Sequence, residues 1–207
     1  MVKRLALLLS ASAALAAAAD GVMTSAERSY LLEHLEASKK NMLASIEGLT
    51  DAQWRFKPAP NVWSVAECAE HIVLAEDYIF GASQQILKTP AVERPQNSNA
   101  EFDKKVVAGV EDRTHKVTAP EPITPSAGGK FATPADAARE FIARRDKTIA
   151  YVKSTDDDLR VHVADSPLGK IDDYQFLLLL ASHSVRHTLQ IKEVQANPGY
   201  PKAAAAE

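Results

Sequence analysis

The sequence predicts an all-α fold, a bundle of long helices, and two observations carry that prediction. Apolar side chains recur three and four residues apart in four separate stretches, the spacing that lines one face of an α-helix. Three of those stretches open on helix-start signals: Ser64 with Glu67 three residues on, Thr133 followed by Pro134 and Asp136, and Asp172. With 207 residues and 46% hydrophobic content the chain holds one good core and is short for two domains.

Taken in order, Lys3 and Arg4 precede an apolar run over residues 5–15 and the small residues Ala17, Ala18 and Ala19. That order predicts a secretory signal peptide over 1–19, leaving 20–207 as the mature domain, periplasmic or secreted. The run is too short to persist as a membrane anchor. The first helix is expected over 25–49, with Leu31, Leu35, Met42, Ile46 and Leu49 inward and Glu27, Glu33, Lys39 and Lys40 on the other faces. Pro58 and Pro60 forbid helix in the following stretch, where Trp54 and Phe56 offer bulk to plug one end of the core. Ser64 and Glu67 form a capping box for the second helix, and Trp63 stands where a hydrophobic staple would fold onto Cys68. Its buried stripe is Cys68, Ile72, Ala75, Ile79, Ala82 and Ile86, with His71 at the edge, and it ends near Thr89 and Pro90.

Residues 91–98 read as a polar loop and 99–113 as a shorter helix on Phe102, Val106 and Val110. Three prolines and the pair Gly128 and Gly129 make 117–133 an extended loop, a length that in compact domains usually carries function, such as a lid. The third long helix begins at Thr133 and Pro134, turning Ala138, Phe141, Ile142, Ile149 and Val152 inward. Arg145 falls in that stripe; its stem is expected to pack while its head reaches solvent, with a bound anionic group as the other arrangement. Residues 154–170 read as an irregular connection. Asp172 then caps a last helix whose seam is Phe176, Leu180, His183, His187, Ile191 and Val194, ending near Asn197 and Pro198.

Acids and bases are interspersed at a formal net charge of −3, so no basic footprint for nucleic acid exists. The single cysteine, Cys68, excludes an internal disulfide and a cysteine-based zinc site. Of the six histidines, His34 lies on a charged face and His115 and His162 in or beside loops, where solvent satisfies them. His183 and His187 differ. Four residues apart on one helix, their imidazoles reach a common point. Burying them in an apolar seam is costly unless their nitrogens are satisfied, and a shared metal would do that, with His71 as the third ligand. Two histidines that merely pack remain the alternative.

Trp63-Ser64-Val65-Ala66-Glu67 leading to His71, followed far downstream by His183, Arg186, His187 and Gln190, resembles the DinB-like (DinB/YfiT) superfamily over residues 27–197. The resemblance implies a four-helix bundle with one long crossover connection, and a divalent metal (nickel, zinc or iron) held by His71, His183 and His187. It also implies thiol-dependent transferase or metal-dependent hydrolase chemistry on a small molecule, and a homodimer. Glu67, one turn before His71, is the candidate catalytic base or support for the imidazole, with helix capping as its plainer role. Arg186 is expected to be structural and Gln190 to line the pocket. A metal-binding or apolar-ligand-binding bundle without turnover is the competing class.

Overall fold

The computed structural model describes residues 23–202, so the signal peptide expected over 1–19 lies outside the described residues. Four long helices build the fold: α1 (Ser25–Ile46), α3 (Val65–Ile86), α5 (Pro134–Ser154) and α6 (Asp173–Gln195). Shorter elements join them: α2 (Asp51–Arg55), α4 (Ala100–Glu111), a 3₁₀ turn at Glu121–Ile123, and an antiparallel hairpin of β1 (Val163–Ser166) and β2 (Gly169–Asp172). Among the described residues no helix is long and apolar enough to cross a membrane.

Each long helix packs against two others, α1 and α3 both lying against α5 and α6. Their directions follow from side-chain contacts. Ser83 near the end of α3 reaches Asp173 at the start of α6, so these two are antiparallel. Arg28 near the start of α1 donates to the Val152 carbonyl near the end of α5, again antiparallel. Tyr174 donates to the Glu27 carbonyl at one end of α1 and Gln195 to the Ser45 carbonyl at the other, so α1 and α6 run together. Helices α3 and α5 therefore run parallel, and the long connection over 87–133 carries the chain back between them.

The caps that start these helices are local and legible. Thr24 with Glu27, Thr50 with Gln53, Ser64 with Glu67, and Asp172 with Gln175 all form reciprocal capping boxes, each satisfying otherwise orphaned backbone donors. At α5 the Thr133 hydroxyl accepts from the Asp136 amide and donates to its carboxylate. The stretch after the first helix holds the short helix α2, because the prolines stand beyond it; its Trp54 is fully buried and donates Nε1–H to the Phe131 carbonyl. The first helix stops at Ile46, three residues early, because the chain turns at Gly48 with φ +68°.

Besides α2, which stands in a stretch expected to hold no helix, and the early end of α1, two further expectations are corrected. Residues 163–172 form a hairpin inside the stretch read as irregular, its two-residue turn at Pro167 and Leu168 followed by Gly169 at φ +93°. Arg145 neither reaches solvent nor waits for a ligand. It is fully buried, gripping Glu76 through Nε at 2.9 Å and Nη2 at 2.5 Å, and bonding the Leu35 carbonyl, Ser38 and Ser184. A guanidinium that finds this many acceptors stays in the core with its charge matched. His162 is half-buried with Nδ1 on the Thr89 carbonyl.

Asp173 is the one buried acid of this region with an unpartnered oxygen, Oδ1, while Oδ2 accepts from Ser83. Burial pushes its carboxyl from 3.8 up to about 8. Between those values the native state holds a proton the unfolded chain has released, so stability falls as pH rises, by at most about 1.4 kcal/mol per pH unit. Asp173→Asn should therefore flatten the stability profile between pH 5 and 8; urea melts across that range check it.

Candidate metal centre

The capping box at Ser64 sets where α3 begins and hence which way its second turn faces. His71 stands on that turn, 2% exposed, with α6 opposite. The capping box at Asp172 does the same for α6, whose middle turns present His183 and His187. The three imidazoles converge. His71 Nε2 lies 3.2 Å from His183 Nε2 and 3.1 Å from His187 Nε2, and one ligand nitrogen from each residue falls within 4.8 Å of the others.

The outer nitrogens decide the inner ones. His71 Nδ1 lies 2.7 Å from the Ile123 carbonyl oxygen, an acceptor only, so it carries the proton. His187 Nδ1 lies 2.9 Å from Gln190 Oε1 and is protonated for the same reason. Burial lowers the pKa of all three rings, holding His183 down to about 3 and His187 lower still, with the neighbouring imidazoles adding to the effect on those two. The rings are neutral, so His71 and His187 face one another with bare Nε2 lone pairs.

Two lone pairs at 3.1 Å repel, and a single proton from His183 can bridge to only one of them. A cation between the three resolves this. Ligand nitrogens about 2.0–2.1 Å from a tetrahedral ion stand about 3.3 Å apart, close to the separations here. The donor set fits a borderline transition ion, and the carbonyl and amide behind two of the rings are the outer hydrogen bonds that fix a ligand's tautomer.

Glu67 is placed differently from the histidines. Its carboxylate is 4% exposed in relative terms and accepts from the Ser64 amide, from Lys57 Nζ at 2.8 and 2.7 Å, and from the Gly128 amide. Burial alone would raise its pKa, but the Lys57 bond and the two amides hold it below the usual value. None of its hydrogen bonds goes to an imidazole.

Glu67 and Glu70 instead clamp the loop over 117–133 onto α3, Glu70 accepting from the Lys130 amide and the Ser126 hydroxyl. That loop delivers the Ile123 carbonyl to His71. Sequence reasoning missed both Glu70 and Ile123, since a backbone carbonyl has no signature in the residue string. Gly129 sits at φ +76° with Ala66 directly beneath; an added Cβ would meet the Ala66 Cβ at 2.8 Å. Gly129→Ala should lift the loop and cost about 1–3 kcal/mol in a chemical melt.

Beside His187 a cleft of about 300 Å³ opens to solvent. Trp63 lines it and also lies against the histidines, its ring centre 4.9 Å from that of His71 and 6.1 Å from that of His187. Arg186 donates to the carbonyls of Val110, Asp112 and His115, tying α6 to the end of α4, while Gln190 both lines the cleft and holds His187.

A helical bundle that brings three imidazoles together beside an open cleft defines a candidate mononuclear metal-site protein. The chain belongs to the DinB superfamily, whose family model matches residues 34–191. It is also similar to the uncharacterized protein YuaE of Bacillus subtilis (strain 168), 24% identical over 151 residues that cover 72% of this chain and 88% of that one. No solved structure matches it.

Proposed function

We propose that this chain is a metal-dependent enzyme in which His71, His183 and His187 hold one divalent transition ion and the cleft beside His187 admits a small-molecule substrate. The observation that carries the reading is the set of three converging Nε2 atoms, two of them bare lone pairs 3.1 Å apart. Such an ion, nickel, zinc or iron, supplies Lewis acidity that lowers the pKa of a thiol or water at an open position. Ile123 and Gln190 keep two rings in the ligating tautomer, and the Trp63 ring lies against both.

Of the two chemistries, thiol transfer is favoured over hydrolysis. The metal-ligating group contains no carboxylate, and the candidate base, Glu67, is held ionised by Lys57 with a lowered pKa that makes it a weak base. A thiol starts far more acidic than water, so the same ion ionises it more completely without a protein base. Glu67 then acts as a positioning residue through the loop it holds. Export to the periplasm or medium is part of the proposal, on the strength of residues 1–19, and is checked by whether the recovered protein starts at Asp20.

The test is turnover after reconstitution with zinc, nickel or ferrous ion, using thiol-plus-electrophile pairs beside an ester panel. The expected result is metal-dependent consumption of a thiol pair that is lost in His183→Ala. Bound metal without turnover in either panel would make the protein a non-catalytic metal binder. That alternative has one observation in its favour, the same engaged Glu67 carboxylate.

A further inference from the structure

The cleft beside His187 carries a charge distribution that metal ligation leaves unused. Arg113, Lys116 and Arg186 stand in its wall, with Glu193 as the acid there. Glu193 is engaged by Arg113 through two bonds of 2.6 and 2.7 Å. Arg186 gives its guanidinium to three backbone carbonyls, neutral acceptors that fix the group without cancelling its charge. Asp112, close by, turns its carboxylate to the amide and hydroxyl of Thr114. Lys116 is exposed and has no ion-pair partner among the described residues.

Three cations less one anion leave the cleft at +2, on a chain whose formal charge is −3. Pro58, Val62 and the Trp63 indole, which also lies against the His71 and His187 rings, give the lining apolar surface, beside neutral polar side chains such as Asn61 and Gln190. A cleft that combines cationic side chains with an apolar indole lying against two of the histidines suits a ligand of the same two-part character.

We propose that this cleft binds a small organic anion with an apolar body, the anionic group on the Lys116 and Arg186 side and the body on Trp63. The inference takes its location from the proposed metal site but does not depend on the ion. The experiment titrates 3-phenylpropanoate and its neutral isostere 3-phenylpropanamide into chelator-treated and zinc-loaded protein. Emission of Trp63 is the readout, the other tryptophan, Trp54, being buried in the core. Calorimetry accompanies it.

The expected result is that the carboxylate binds at least about tenfold more tightly than the amide in both forms, a preference that weakens with added salt. Lys116→Glu, at an exposed position, should cut that preference at least about fivefold without altering the melting temperature. Arg186→Gln should cut it too; because it also loosens the tie to α4, the Lys116 variant decides. Equal binding of acid and amide, absence of binding by either, or an unchanged preference in Lys116→Glu overturns the proposal. A preference seen only with zinc assigns the selectivity to the ion and overturns it as well. A protein that takes up no zinc yet still prefers the acid contradicts the metal reading alone.

Discussion

Arg160→Leu is expected to destabilise the fold by about 3–5 kcal/mol at neutral pH, the cost typical of leaving buried charges without their partner. Arg160 is 2% exposed and bonds three carboxylates: Glu27 at 3.0 and 2.8 Å, Asp103 at 2.9 and 2.7 Å, and Asp172 at 3.0 Å. Its guanidinium also lies 3.8 Å over the centre of the Tyr174 ring. Two of those acids have a second duty, Glu27 in the box that starts α1 and Asp172 in the box that starts α6. One arginine thus holds the heads of two parallel helices, and the short helix α4 through Asp103, in one knot. Deleting it leaves three acids close together, with burial opposing the ionisation of Glu27 and Asp172.

The pH dependence of that deficit has a definite sign. Without the guanidinium, Asp172, whose carboxyl burial already pushes above its ordinary value, gains a proton in the native state more readily than in the unfolded chain. Its contribution is then unfavourable above the ordinary carboxylate range and recovers as pH falls toward it. Urea melts of Arg160→Leu beside the parent chain should show a smaller gap at pH 5 than at pH 7.5. A constant gap would mean that the loss is packing rather than charge.

Arg145→Met should cost a similar amount, about 3–5 kcal/mol, for a different set of partners. The substitution strands Glu76, 2% exposed, which is left with the Ser184 hydroxyl as its remaining donor. It also removes the bonds that tie α5 to the Leu35 carbonyl and Ser38 of α1. Replacing both charges, Glu76→Leu with Arg145→Met, should recover most of the loss, because an apolar pair of similar size has no charge to desolvate. A double variant as unstable as the single one would show that the geometry of the pair, not its buried charge, is what the core requires.

The long helices and the starts at Ser64, Thr133 and Asp172 were legible in the sequence because both are local: periodic apolar residues and a side chain three residues from its amide need no tertiary information. His71, His183 and His187 were legible for a related reason, since two lie four apart on one helix and the third stands early in a well-capped one. Much of what escaped depends on contacts far along the chain. Arg145 looks like a surface arginine until Glu76, Ser38 and Ser184 arrive from three other helices. The hairpin over 163–172 has strands of four residues with little β-branched character, too short to leave an alternating pattern. Glu67 was readable as a cap, and its hold on Lys57 and the Gly128 amide was not.

The central claim is that three imidazoles from α3 and α6 share one ion. Elemental analysis tests it most directly, on protein purified without metal-affinity resin, beside the double variant His183→Ala/His187→Ala. One equivalent of nickel, zinc or iron in the parent chain, absent from the variant, is the predicted result. Equal and negligible metal in both, with the parent still folded and refusing each ion on dialysis, would contradict it.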